Sequence, residues 1–119
     1  MIVLKPEKTF IYILATEYDH QLNIIRYDSL REAQEAMISE FVDTCGGTSE
    51  WVDGWSMDYE KVVERVLDYE LGIDNNDDEF RDIMVRNDWN VQFYCFKNYA
   101  YIENCDGEKY VLEVNTIEI

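Results

Sequence analysis

The segment DSLREAQEAMISEFVDTCGG (Asp28 to Gly47) carries both the boundary signals and the periodicity of an amphipathic helix. Ser29 and Glu32, three positions apart, form a capping box in which each side chain can satisfy a free amide at the helix start. Four apolar residues recur at helical spacing and define one face: Leu30, Ala33, Met37 and Phe41. Gly46 is a suitable terminator. This helix must bury its apolar face, so the flanking sequence determines what it can pack against.

Strand-forming sequence lies on both sides of this helix. TFIYILATE (Thr9 to Glu17) and LNIIRY (Leu22 to Tyr27) are rich in β-branched and aromatic residues, and the polar YDHQ between them predicts a hairpin turn. Near the C-terminus, NVQFYCFK, NYAYIEN and EKYVLEV predict three more strands. Asp106-Gly107 favours a tight turn before the last of them. The chain therefore predicts two antiparallel groups of strands.

More helical sequence separates these two groups. SMDYEKVVERVLDYELG predicts a second helix that is capped by Ser56 or Asp58 and ends at Gly72. DEFRDIMVRN predicts a short third helix. The element order is ββααβββ, with the helices inserted between the antiparallel groups. We therefore predict one α+β domain over residues 1–119, in which an antiparallel sheet carries two to three helices on one face.

The charge of the chain restricts its partners. It has 26 Asp and Glu against 10 Lys and Arg, a formal net charge of -16, although 47% of its residues are hydrophobic and can form a core. Contacts with nucleic acid phosphates need clusters of Lys and Arg, so direct nucleic acid binding is not expected. Between Gly47 and Asn90, thirteen acidic residues face only four basic ones. This regional excess indicates a basic protein as the partner.

The acidic residues of this region form the candidate partner-binding surface. Glu60, Glu64 and Asp68 recur every four residues along the second helix, where like charges are neighbours. The row continues through five further carboxylates: Asp74, Asp77, Asp78, Glu79 and Asp82. Such a row is similar to the regularly spaced charge of a nucleic acid backbone and would attract a basic groove. The alternative is a surface that only keeps the protein soluble.

Two tryptophans, Trp51 and Trp55, lie in the loop between the first two helices. They are candidate anchors for a partner, because tryptophan is enriched where binding energy concentrates. The alternative is that they pack over helix ends and close the core of a small domain.

The sequence offers little for catalysis or for a cofactor. DNNDDEF, from Asp74, fails the calcium-loop pattern because its sixth and twelfth positions are Glu79 and Val85. His20 is the only histidine, and no local signature supports its pairing with Cys45 or Cys105. We expect no enzyme activity, no cofactor and no metal beyond weak divalent cation binding. Three cysteines without regular spacing, no signal peptide and no long apolar segment predict a soluble cytoplasmic protein without a membrane partner.

In size, charge and composition the chain resembles the small inhibitors encoded by phages and mobile elements, including anti-CRISPR proteins. Several of these act as DNA mimics that occupy the basic groove of an RNA-guided nuclease. The resemblance implies competitive blocking, in which seven carboxylates stand in for phosphates: Glu60, Glu64, Asp68, Asp74, Asp77, Asp78 and Glu79.

Two other functions fit the same sequence. One is a small-ligand-sequestering protein whose pocket is lined by Trp51, Trp55 and the aromatic strands. The other is an acidic accessory or assembly subunit that acts through an exposed sheet edge or helix face, as a homodimer in one arrangement.

Overall fold

The fold is organised around one antiparallel sheet, seen in a computed structural model that describes residues 9–45, 58–77, 92–103 and 107–119. The six strands are β1 (Phe10–Tyr18), β2 (Gln21–Tyr27), β3 (Ile73–Asp74), β4 (Gln92–Cys95), β5 (Tyr99–Glu103) and β6 (Lys109–Glu118). Their order across the sheet is β2-β1-β6-β5-β4-β3, and every neighbouring pair is antiparallel. The predicted α+β class is confirmed.

The pairing of β1 with β6 joins the two ends of the described chain into one sheet. It runs in register from Phe10 opposite Glu118 to Tyr18 opposite Tyr110. This pair is the longest in the sheet, because β6 extends well beyond the EKYVLEV segment from which it was predicted. The N-terminal hairpin and the C-terminal strands therefore share one core.

The first helix, α1 (Leu30–Cys45), packs on one face of the sheet as predicted. The Glu32 backbone N–H donates to Ser29 Oγ at 3.1 Å, which confirms the Ser29 half of the predicted capping box. The apolar face of α1 is buried against strand residues, and the rings of Phe41 and Phe93 lie with their centroids 6.1 Å apart. The core that these elements share includes Leu14, Ala33, Met37, Ile102 and Leu112.

The second helix differs from the prediction in its geometry and its end. The Asp58 carboxylate accepts a hydrogen bond from the Glu60 N–H at 3.1 Å, so Asp58 is the cap of α2 (Tyr59–Val63). A π-helical turn, Glu64–Asp68, follows directly. Its wider turn occurs where two consecutive side chains, Val66 and Leu67, are both buried.

The predicted helix end at Gly72 is wrong, because the helical residues stop at Asp68. Glu70 then takes a positive φ of 53°, and Gly72 takes a positive φ of 68° inside a connection to β3. β3 itself was not predicted. Ile73 in this strand is buried and lies opposite Cys95, which is also buried. Burial of Ile73 in the core therefore stabilises the pairing of β3 with β4.

The predicted third helix and both candidate tryptophans, Trp51 and Trp55, fall outside the described residues. Among the described residues, the second face of the sheet carries no helix. On that face Tyr94 stacks with Tyr101 and with Tyr99, with ring centroids 5.3 and 5.7 Å apart. Tyr110 instead stacks with Tyr18 across β6 and β1 at 6.0 Å. The tyrosines of the C-terminal strands thus form cross-strand pairs, as predicted.

Candidate protein-interaction surface

The helices place most of their carboxylates on the side of the molecule that faces away from the sheet. Because α1 buries Ala33, Met37 and Phe41 against the strands, most of its charged residues point outward. Gln34 is instead buried and donates to Asn98, and Glu40 accepts a hydrogen bond from the Tyr110 hydroxyl of β6. The second helical segment buries Val62 and Val66 in the same way. We use the name acidic layer for seven carboxylates of these helical segments, Glu32, Glu35, Asp43, Asp58, Glu60, Glu64 and Asp68.

Arg31 connects the two parts of the acidic layer. Its Nε donates to Glu35 Oε1 at 2.8 Å, one turn along α1, and its Nη1 donates to Asp68 Oδ1 at 2.9 Å on the π-helical turn. The hydrogen bond to Glu35, and next the one to Asp68, raise the pKa of the Arg31 guanidinium above its ordinary value. The carboxylates of α1 and of the second helical segment therefore belong to one continuous surface.

The charge of the described residues is concentrated in the two chain segments that carry this layer. Residues 30–45 and 58–77 contain eleven acidic and three basic residues, a net charge of -8 on 36 residues. The other described residues contain seven acidic and three basic residues, a net charge of -4 on 46 residues. Residues 30–45 and 58–77 thus carry more than twice the charge density of the other described residues.

The predicted site residues divide into two groups. Glu60, Glu64 and Asp68 are exposed on the second helical segment, as the predicted row requires. The Asp68 carboxylate is also the partner of Arg31, and the hydroxyl of Tyr69 bonds to Glu64, which raises the Tyr69 pKa. This row keeps its exposure while making local contacts.

Asp74 and Asp77 are instead used within the fold. The Asp74 side chain accepts a hydrogen bond from the Asn76 N–H at 2.8 Å, and the Asp74 carbonyl accepts one from the Asp77 N–H at 3.0 Å. The Asp77 carboxylate pairs with Arg65 at 2.6 Å, and only 17% of its side chain is exposed. These two carboxylates close a turn after the helix. Asp78, Glu79 and Asp82 lie outside the described residues.

Among the described residues, the thiols of Cys45 and Cys95 are both buried. Burial raises the pKa of the Cys95 thiol to about 12 and raises that of Cys45 well above its usual value. Both thiols therefore stay protonated and inert at neutral pH. Cys95 lies in the core of β4, as predicted. His20 lies in the exposed turn between β1 and β2, and Cys105 is outside the described residues.

One cavity that could admit a small ligand lies at the turn between β1 and β2. It has a volume of about 380 Å³ and is lined by Tyr18, His20, Glu108 and Lys109, among others. Tyr94, Tyr99 and Tyr101 are not part of this lining, and Tyr99 and Tyr101 stack on Tyr94 instead. The ligand hypothesis gains no aromatic pocket from the described residues.

The described residues contain neither a cluster of metal-ligating side chains nor a membrane-spanning helix. Within residues 9–45, 58–77, 92–103 and 107–119, no three histidine, cysteine or acidic side chains converge on a position that could hold a metal ion. In the same part of the chain, no helix has the length and apolar character needed to cross a bilayer.

No protein-family model matches this chain, and comparisons with characterised proteins and with solved structures find no match. Function must therefore be argued from the surface itself. The surface predicted from the sequence did not include Arg31 or the acidic residues of α1. Arg31 and Glu35 stand at helical i, i+4 spacing, which is a readable signal. The contact with Asp68, 37 residues away, leaves no such signal.

Proposed function

We propose that this protein is a non-enzymatic inhibitor that acts in the cytoplasm and binds a basic, nucleic-acid-handling protein through the acidic layer. The observation that supports this most is the continuity of the layer. Arg31 ties Glu35 on α1 to Asp68 on the π-helical turn, so carboxylates distant in sequence present one negative surface. A groove built to bind duplex phosphates would be attracted to such a surface and blocked by it.

The class of partner follows from the charge. A partner with a Lys- and Arg-lined groove meets a layer carried by residues 30–45 and 58–77, and these two segments have a net charge of -8. An RNA-guided nuclease of the CRISPR type is one such partner, because it holds nucleic acid in a positively charged channel. The same recognition would apply to other proteins with a basic duplex-binding groove.

The proposal is tested by binding to a purified RNA-guided nuclease, with its DNA cleavage as a second readout. We expect binding to weaken steeply as salt is raised, and duplex DNA to compete for the same site. Glu60→Lys reverses one exposed charge in the layer and should weaken binding by about tenfold. Adding Glu64→Lys should weaken it further.

The matched control is Glu113→Lys, which makes the same charge reversal at an exposed position on the sheet face without helices. It should leave binding and inhibition nearly unchanged. The proposal fails if affinity is insensitive to salt, or if the Glu60 and Glu113 variants lose affinity equally. If the nuclease does not bind, other proteins with a basic duplex-binding groove are tested in the same way. Failure of all of them to bind would leave the acidic layer with a solubilising role only.

A further inference from the structure

Strand β2 is an edge strand with few of the features that protect edges. Among the described residues, β2 pairs only with β1, so its outer side has no strand partner. Its sequence, QLNIIRY, contains no proline, no lysine and one charged residue, Arg26. Leu22 and Ile24 are 64% and 56% exposed. Proline, charged side chains or a covering segment usually block such an edge, because its free backbone groups can pair with another strand.

The register of the β1–β2 hairpin determines which backbone groups are free. The turn contains two residues, Asp19 and His20, and is closed by Tyr18 opposite Gln21. Hydrogen-bonded and non-hydrogen-bonded pairs alternate from that closing pair. The residues of β2 that direct their N–H and C=O groups away from β1 are therefore Leu22, Ile24 and Arg26.

We propose that β2 pairs antiparallel with β2 of a second copy of this chain, which joins two six-stranded sheets into one. One two-fold register pairs all seven residues of the strand, with Ile24 opposite Ile24 of the other copy. In this register Leu22 lies opposite Arg26, Asn23 opposite Ile25 and Gln21 opposite Tyr27. The three outward residues of each copy then form about six backbone hydrogen bonds across the interface.

The distribution of charge makes a second copy of this chain a suitable partner for the edge of β2. The chain has a net charge of -16, so most of its surfaces would repel an identical surface. β2 contains no carboxylate, and its one charged side chain is a cation. Arg26 of one copy lies on the same face as Glu17 of the other, two strands away and roughly 10 Å across the sheet. The two-fold pairing brings no carboxylates of β2 together and places opposite charges on one face.

A groove beside the edge provides room for the second copy. On the helix side of the sheet a cavity of about 260 Å³ lies between α1 and the hairpin, and Asn23, Ile25, Tyr27, Ser39 and Glu40 are part of its lining. Ile25 is 45% exposed there. In the proposed register Ile25 of the second copy lies beside Asn23, at this groove. Backbone bonds would then supply affinity, and the alternating side chains would supply specificity.

The pairing has a consequence for the whole surface. Paired residues lie on the same face of an antiparallel sheet, so both copies carry their helices on the same side. The two acidic layers would face the same direction, although the proposal stands independently of the inhibitor function. The two are also separable by salt, because added salt screens repulsion between the copies and should strengthen the dimer. Partner binding through the acidic layer should weaken instead.

Sedimentation equilibrium of the purified full chain tests the proposal. The wild-type protein should associate reversibly to twice the 14.2 kDa chain mass, more tightly at high salt. Ile24→Lys places like charges opposite each other and removes two apolar contacts, so the dimer dissociation constant should rise by at least about tenfold. Ile24→Pro should have the same effect, because it removes an outward N–H that β1 does not use. Circular dichroism checks that both variants keep the fold.

Two further experiments test whether the dimer uses the edge of β2 and whether it has the proposed register. Ile117→Lys makes the same substitution at an exposed isoleucine of β6, an interior strand, and should leave the dimer intact. Ile24→Lys mixed with Ile24→Glu should restore a heterodimer, because position 24 lies opposite itself. A monomeric wild-type protein at all concentrations overturns the proposal. So does a dimer that Ile117→Lys dissociates and Ile24→Lys does not, or a mixture that does not reassociate.

Discussion

At the scale of single residues, the structure distinguishes carboxylates that hold the fold from carboxylates that face solvent. Asp58 caps α2, Asp74 closes a turn and Asp77 pairs with Arg65, whereas Glu60 is exposed on the helix surface. Their side chains are chemically alike in the sequence. Their neighbours in space give them different roles, so a charge count overstates how much of the acidic region is available to a partner.

Gly72, near the end of the same region, is required by its backbone conformation and its close packing, not by charge. Gly72 has a φ of 68°, and a Cβ added there would lie 2.5 Å from Phe96 Cδ1 and 3.2 Å from the Cys95 carbonyl oxygen. Both the backbone angle and the close approach of β4 therefore require glycine. The sequence suggested a helix terminator at this position, and the structure gives it a packing role.

Gly72→Ala should lower the free energy of unfolding by about 2–3 kcal/mol, because it combines left-handed strain with a steric clash. Gly107→Ala is the matched control, since Gly107 has a φ of 81° with nothing within 4 Å of an added Cβ. Its cost should be only about 1 kcal/mol, from strain alone. Urea unfolding of both variants measures the difference. Equal losses would mean that the approach of Phe96 contributes nothing.

At the scale of elements, the β1–β2 hairpin has a histidine at a turn position that favours glycine. Asp19 and His20 both have positive φ angles, 51° and 63°, which is the geometry of a type I′ turn. Such turns favour Asn-Gly, and a histidine in this region of φ is strained. The long register with β1, from Tyr12 opposite Tyr27 to Tyr18 opposite Gln21, maintains the turn despite that strain.

His20→Gly should therefore stabilise the protein by about 1 kcal/mol, because glycine adopts a positive φ without a steric penalty. The control is Gln92→Gly in β4, an exposed strand position without a positive φ. That substitution should destabilise by about 0.5–1 kcal/mol. The midpoints of urea unfolding give both values. Destabilisation by His20→Gly would show that the imidazole makes a contribution larger than the strain it imposes.

At the scale of the whole molecule, a buried thiol and a tyrosine hydroxyl make the stability of the fold depend on pH in the alkaline range. Burial raises the pKa of the Cys95 thiol from 9.0 to about 12. Burial, and then the hydrogen bond to Glu103, raise the pKa of Tyr101 from 10.0 to about 12. In the unfolded chain both groups lose their protons at their ordinary pKa values. The folded chain holds these protons to higher pH.

Stability should therefore be constant with respect to these groups below about pH 9 and should fall as pH rises toward 12, because the unfolded state then binds fewer protons. Urea midpoints measured from neutral to alkaline pH test this direction. Tyr101→Phe keeps the ring and removes the hydroxyl, so its stability should decline less steeply above pH 10. An identical slope for the wild type and this variant would contradict the assignment to Tyr101.

Local signals made much of the fold predictable. The Ser29 and Glu32 pair and the apolar spacing of α1 specify a helix within one segment, and both are seen in the structure. β1, β2 and the C-terminal strands follow from β-branched and aromatic composition. The π-helical turn and β3 could not be predicted in this way. Each depends on which side chains, such as Val66, Leu67 and Ile73, the rest of the fold buries.

The candidate surface shows the same division. The sequence by itself determined that the chain is strongly acidic, that the acidity is regional and that helices carry part of it, because composition and periodicity are local properties. Only the tertiary structure decided that Arg31 joins α1 to Asp68, that Asp77 pairs with Arg65 and that β2 is an edge. The physical reason is that ion pairs and strand order depend on contacts between segments far apart in the chain, which no local pattern encodes.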